Sequence, residues 1–218
     1  MPRLLLAWLL TTLAICTGFR GAKAYVREHM LALDETLRES ALRLRFRDPE
    51  NESGDRVGWT WFFRFWTNFA SAPSLLFWSF ALAIWASGTQ NSPLYFFLPG
   101  LCFASSMAIS FVSKRVFKRA RPARKVGAFG HKMRDASFPS GHSLTAFCFW
   151  FTLAFAVFLA TGSAFLALLV GVFALLIVLF TGLSRVYLGV HFPSDVFGGY
   201  FMGLVWCFVC YFALAPIL

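Results

Sequence analysis

Residues 165–195 read FLALLVGVFALLIVLFTGLSRVYLGVHFPSD. The first part, 165–183, carries no charged residue and approaches the ~20 residues a helix needs to cross the hydrocarbon of a bilayer. A short polar stretch follows and brings Ser184, Arg185, His191 and Asp195 close together in sequence. Five more stretches are also apolar and free of charge: 4–19, 69–86, 94–112, 143–160 and 196–214. In hydrocarbon every backbone amide must be satisfied within its own segment, so helix is the expected form. The expected fold class is all-α: a polytopic membrane protein with a six-transmembrane-helix bundle, one domain over residues 1–218.

Composition agrees. Hydrophobic residues make up 58% of the 218 and charged residues 14%, against about 25% charged in soluble domains. The 28 Phe and 8 Trp suit side chains that face acyl chains and the headgroup boundary. A net charge of +10 would point to nucleic acid in a soluble protein. Here the basic residues lie between apolar spans, so the expected partners are the bilayer and anionic lipid headgroups, with no nucleic acid.

The first apolar stretch has two readings. Arg3, the run to Cys16 and Ala22-Lys23-Ala24 resemble a signal peptide with its cleavage site, and the same residues serve as a retained first span. Residues 25–58 are polar, but Met30, Leu33, Leu37, Ala41 and Leu44 recur at helical spacing. That pattern predicts an amphipathic interfacial helix after the first span, or a small cap packed over the site. Trp59, Trp61, Phe62, Phe63, Phe65 and Trp66 read as an aromatic belt leading into the second span. Asn51-Glu52-Ser53 matches a glycosylation acceptor, a weak signal. The five cysteines lie in apolar stretches; Cys207 and Cys210 form a C-x-x-C without a second ligand pair, which reads as packing.

With six spans, segments 20–68, 113–142 and 184–195 share one face. They hold three clusters: Lys114 with Arg121-Pro122; Pro139-Ser140-Gly141-His142; and Ser184-Arg185 with His191 and Asp195. Lys114, Arg121 and Arg185 bring three positive charges that suit a phosphomonoester dianion. Ser140 is a good N-cap for the fourth span, and Gly141 lets an anion approach the free amides of the helix start. Pro193 fits the first turn of the last span. Asp195 then lies about one turn in, placed to fix the tautomer of His191 and leave its other nitrogen free to attack. His142, on the same face, can protonate a leaving oxygen. Arg115, Lys118, Arg119, Arg124, Lys125, Lys132 and Arg134 read as interface anchors, and His29 and His131 as solvated surface residues.

All eleven specified positions of K-x6-R-P, P-S-G-H and S-R-x5-H-x3-D are present in order over residues 114–195. In this the chain resembles the phosphatidic acid phosphatase type 2 family of integral-membrane lipid phosphatases, whose core is similar to those of vanadium haloperoxidases and bacterial acid phosphatases. The resemblance implies His191 as nucleophile, Asp195 as its orienting carboxylate, and His142 as general acid and then base. Lys114, Arg121, Ser140, Gly141 and Arg185 would bind the phosphate, with no metal and no cofactor. The implied activity is dephosphorylation of a lipid phosphate or pyrophosphate: phosphatidic acid, phosphatidylglycerol phosphate, undecaprenyl pyrophosphate or a lipid A phosphate. The alternatives are a lipid-to-lipid phosphotransferase, or a catalytically silent lipid-binding or transport protein on the same scaffold.

Two arguments on sidedness disagree. Of 20 Lys and Arg, only Arg3 lies off the motif-bearing face, and the positive-inside rule would place that face in the cytoplasm. The resemblance implies a bacterial inner-membrane protein with a periplasmic or other extracytoplasmic site. The second reading is adopted, because several of these cations are accounted for by phosphate binding. Oligomeric state is left open.

Overall fold

Long apolar runs with few helix breakers become long helices. The computed structural model describes residues 33–48, 50, 53–87, 94–122 and 135–214. Helix α1 covers 33–45. It is followed by the short antiparallel strands β1 (Phe46–Asp48) and β2 (Ser53–Asp55), then α2 (Val57–Asn68), α3 (Ala72–Ser87), α4 (Leu94–Phe117), α5 (Gly141–Thr161), α6 (Ala164–Tyr187) and α7 (Pro193–Leu214). The expected first span, Asn51, Glu52, His29, Arg124, Lys125, His131, Lys132 and Arg134 lie outside the described residues.

The all-helical membrane architecture holds among the described residues. Helices α4 to α7 are each long and apolar enough to cross a bilayer; α2 and α3 add a fifth crossing if taken together as one span bent by 44°. The bend corrects the expected start of the second span. Helix α2 already begins at Val57 and stops at Asn68, and the chain restarts at Ala72, where Ser71 Oγ accepts a bond from the Ser74 amide and Pro73 lies in the first turn. The belt aromatics therefore sit on a helix of their own. The small ladder pairing Phe46 with Asp55 and Asp48 with Ser53 was also not expected.

Helix α5 is the centre of the bundle and touches α4, α6 and α7. One core cluster joins Leu75, Phe103, Phe149, Trp150, Ile177 and Val178. Another joins Ile109, Leu144, Met202 and Trp206. Outward-facing Phe165, Leu168, Leu169 and Val172 leave one side of α6 apolar and exposed, as expected of a surface bathed in lipid. Close approach of α7 to α5 fixes the site end of the bundle. A Cβ on Gly199 would stand 2.8 Å from the Ser140 carbonyl oxygen.

Helix α1 turns Leu33, Leu37 and Leu44 outward and buries Asp34, Ala41 and Arg45 against the protein. Its polar side docks: Arg45 donates to the Leu188 carbonyl (3.2 Å) and to Asp55 (3.2 Å).

Candidate active site

Three helix ends converge. Helix α4 runs past its apolar stretch and carries Lys114 in its last turn. Helix α5 starts after Ser140, whose hydroxyl accepts from the Ser143 amide at 3.4 Å and the Ser143 hydroxyl at 2.9 Å. Helix α6 runs to Tyr187, so Arg185 sits in its last turn. Beyond it Gly189 adopts φ +67°, the Gly189 amide bonds the Val186 carbonyl (2.8 Å), and the Val190 amide bonds the Arg185 carbonyl (3.1 Å). This paired C-terminal cap needs glycine at the left-handed position. It reverses the chain within a few residues and returns His191 beside the helix it just left. The Ser140 amide then donates to the Asp195 carbonyl at 2.9 Å, tying the starts of α5 and α7 together.

His191 is buried, with 2% of its surface exposed. Its Nδ1 lies 3.5 Å from Asp195 Oδ2 and 3.4 Å from Ser137 Oγ. Its Nε2 faces Arg121 Nη1 at 3.2 Å. Since a guanidinium only donates, Nε2 carries the lone pair and Nδ1 the proton. Burial lowers the histidine's pKa from 6.5 to about 4; the bond to Asp195 opposes this, and the charges of Arg185 and Arg121 add to it. The ring is therefore neutral at physiological pH. Asp195 is held from several sides: Oδ2 accepts from Ser137 Oγ (2.5 Å) and the Phe192 amide (2.9 Å), and Oδ1 accepts from Arg119 Nη1 (2.7 Å).

His142 stands in the first turn of α5, within electrostatic reach of Arg185, His191, Lys114 and Arg121. Arg185 is buried at 2% exposure and donates to Thr67 Oγ1 at 3.2 Å. A Cβ on Gly141 would lie 3.2 Å from Ser110 Oγ and 3.9 Å from Lys114 Nζ. Lys114 and Arg121 both bind Asp135: Lys114 Nζ is in short contact with Oδ2, and Arg121 Nη2 donates to Oδ1 at 2.7 Å. Arg121 also donates to the Val190 carbonyl (2.8 Å) and the Asp135 carbonyl (3.1 Å). All eight expected site residues thus gather at one end of the bundle. Ser140 is fully buried and already engaged as a helix cap.

Sequence reasoning missed four contributors. Arg119 is not an interface anchor. Its guanidinium bridges Asp195 and Asp34 (2.7 and 2.6 Å), donates to Ser194 Oγ (2.6 Å) and stacks over Phe192. Arg115 and Lys118 are exposed. Asp34, on α1, also accepts from the Ser194 amide (2.9 Å) and so reaches the dyad through Arg119. Asp135 and Ser137 lie just before the P-S-G-H cluster, and nothing in their spacing sets them apart.

A pocket of about 410 Å³ opens beside these groups. Lys114, Asp135, Gly141 and His142 line one part; Ala70, Phe103, Met107 and Phe111 line the other. A polar end continuous with an apolar trough suits an amphiphile.

Three of the cysteines also come together, a grouping their spacing does not suggest. Cys102 and Cys148 come beside Cys207, with all three sulfurs within 4.8 Å of one another. Twelve residues of helix separate Cys102 from Lys114 along α4, about 18 Å at 1.5 Å per residue. The group lies away from the histidines, between α4, α5 and α7, and packs in the apolar core.

A bundle of apolar helices with an imidazole–carboxylate pair and a cationic pocket at one end defines an integral-membrane protein built to hold an anion. The PAP2 superfamily model matches residues 95–215, and the chain belongs to that superfamily. It is 35% identical over 116 residues to phosphatidylglycerophosphatase B of Bacillus subtilis, covering 50% of this chain and 53% of that protein. It is 32% identical over 131 residues to the putative undecaprenyl-diphosphatase YbjG of Escherichia coli, covering 58% and 61%. The chain thus spans between half and two thirds of the length of these curated relatives. The crystal structure of a transmembrane PAP2-type phosphatidylglycerolphosphate phosphatase from Bacillus subtilis superposes with a TM-score of 0.74 at 25% identity, covering 98% of this chain and 96% of that one.

Proposed function

We propose that this chain is a lipid phosphatase that releases phosphate from a membrane lipid phosphomonoester or pyrophosphate through a phosphohistidine on His191. The observation that carries the reading is the pocket itself, where cations and His142 meet an apolar trough. The names of its relatives agree with a phosphorylated lipid as substrate.

The chemistry follows from the site. The Nε2 lone pair of His191 attacks phosphorus while the bond to the lipid oxygen breaks. His142, protonated once the phosphate's negative charge stands beside it, gives its proton to that oxygen. Lys114, Arg121 and Arg185, with the donors around Ser140 and Gly141, stabilise charge on the equatorial oxygens. Asp195 holds Nδ1–H and stabilises the imidazolium character that develops. In the second step His142 takes a proton from water, the water oxygen attacks phosphorus, and the bond to Nε2 breaks to give inorganic phosphate. The positive charge that phosphoryl transfer requires comes from side chains, so the activity is metal-independent.

We further propose six spans, with residues 4–19 as the first. Helix α1 lies at the interface with its exposed leucines toward lipid, and the site faces the extracytoplasmic side. Phosphate release from phosphatidic acid, phosphatidylglycerol phosphate and undecaprenyl pyrophosphate in detergent with EDTA tests the activity. His191→Ala is expected to abolish it. Equal release by both proteins would sink the reading, and a phosphorylated acceptor lipid without free phosphate would indicate a transferase instead.

A further inference from the structure

Two of the cations expected to bind phosphate already hold an anion that belongs to the chain. Asp135 places one carboxylate oxygen on Lys114 and the other on Arg121. Burial of its inner side raises the carboxyl's pKa, but Lys114 and Arg121 outweigh that and hold it at about 2. It is therefore charged throughout the physiological range. The same bridge fixes Arg121 where Nη1 covers the lone pair of Nε2 on His191, at 3.2 Å. With 2% of its surface exposed, the ring offers nothing to attack with until Arg121 moves. The Asp135 side chain is 51% exposed and lines the pocket, so nothing but the two cations need release it.

We propose that Asp135 is a specificity-determining residue: a tethered anion that only a ligand of higher charge displaces from Lys114 and Arg121, uncovering His191. The inference rests on the phosphatase reading. A phosphodiester headgroup carries one negative charge, and exchanging it for a carboxylate of equal charge gains little. A phosphomonoester carries about −1.5 to −2 at neutral pH, and a pyrophosphate at least as much. Such a group pairs with both cations better than Asp135 does and draws Arg121 from Nε2 onto itself. In a bilayer crowded with anionic phosphodiesters, this keeps the site from filling with headgroups it cannot hydrolyse.

The test compares wild type with Asp135→Asn, a near-isosteric change at an exposed side chain, and with Asp135→Glu. Hydrolysis of short-chain phosphatidic acid in micelles is inhibited with inorganic phosphate and, separately, with short-chain phosphatidylglycerol. Losing two partly exposed ion pairs corresponds to roughly three- to tenfold in affinity. Asp135→Asn is expected to bind inorganic phosphate that much more tightly and to become sensitive to phosphatidylglycerol, with Asp135→Glu close to wild type. Glu39→Gln removes an exposed charge on α1 and is expected to leave both inhibition constants unchanged. Unchanged inhibition of Asp135→Asn, weaker phosphate binding, or equal gains in Glu39→Gln would each overturn the proposal. Failure of wild type to hydrolyse phosphatidic acid or any other lipid phosphate would count against the phosphatase reading instead.

Discussion

Removing the Arg119 guanidinium tests how His191, the proposed nucleophile, is held. Arg119 joins two carboxylates with almost no access to solvent: the side chains of Asp34 and Asp195 are 3% and 0% exposed, and that of Arg119 is 22% exposed. Arg119→Ala leaves both acids without their counter-charge. Breaking such a buried pair costs about 3–5 kcal/mol, which for a chain of this size lowers the melting temperature by roughly 6–20 °C. The dyad also loses the group that fixes Asp195 Oδ1, so the carboxylate drifts from Nδ1 of His191. Misplacement of about 1 Å can cost ~100-fold in rate, and kcat is expected to fall by roughly 10- to 100-fold. Arg119→Lys restores a charge but cannot fork to two acids, so it should recover stability more than kcat. The assays are thermal unfolding in detergent and steady-state phosphate release. An Arg119→Ala protein with wild-type kcat and melting temperature would refute the reasoning.

Other expectations follow from the same geometry. His142→Ala should slow hydrolysis of an alkyl phosphate by roughly 100- to 10,000-fold but slow p-nitrophenyl phosphate far less, because that leaving group needs no proton; equal losses on both would remove the general-acid role. His191 has a folded-state pKa of about 4 against 6.5, so below pH 6.5 the unfolded chain binds a proton that the folded chain refuses. Its contribution to stability is full above 6.5 and is lost as pH falls toward and through 4; nitrogen-15 NMR of labelled histidine should show the ring neutral at pH 5.5, and a midpoint near 6.5 would contradict this. In Gly182→Leu the new Cβ would fall 1.9 Å from the Tyr200 hydroxyl and 2.6 Å from Val196, prising α6 from α7 at a cost of at least about 1–3 kcal/mol, read as a lower melting temperature.

Much of this was legible in the sequence because bilayer thickness and backbone satisfaction impose a simple rule on apolar runs. Helices α3 and α5 fall within three residues of expectation at either end. Helices α4 and α6 run four or five residues further, to Phe117 and Tyr187, because a helix need not stop where hydropathy does. The eight expected site residues come together because each lies at a helix end or in the short segment next to one, on one face. Arg119 was misread because its neighbours Arg115 and Lys118 do face outward, and only the chain's turn after α4 directs it inward. Asp34 was hidden for a different reason. Its partners lie 85 and 160 residues away, and the apolar stripe of α1 drew attention to the opposite side of that helix. The bend between α2 and α3 was likewise concealed, because the aromatic-rich stretch 59–66 reads as leading straight into the next apolar run.

The claim on which the account depends is a covalent bond between phosphorus and Nε2 of His191. The direct measurement is a rapid quench of the protein with lipid substrate labelled with phosphorus-32, followed by peptide mapping. The expected result is label on the peptide containing His191, stable to base and lost in acid, formed and discharged at the rate of turnover and absent in His191→Ala. Turnover without label on that peptide, or label on another residue with His191→Ala still active, would contradict it.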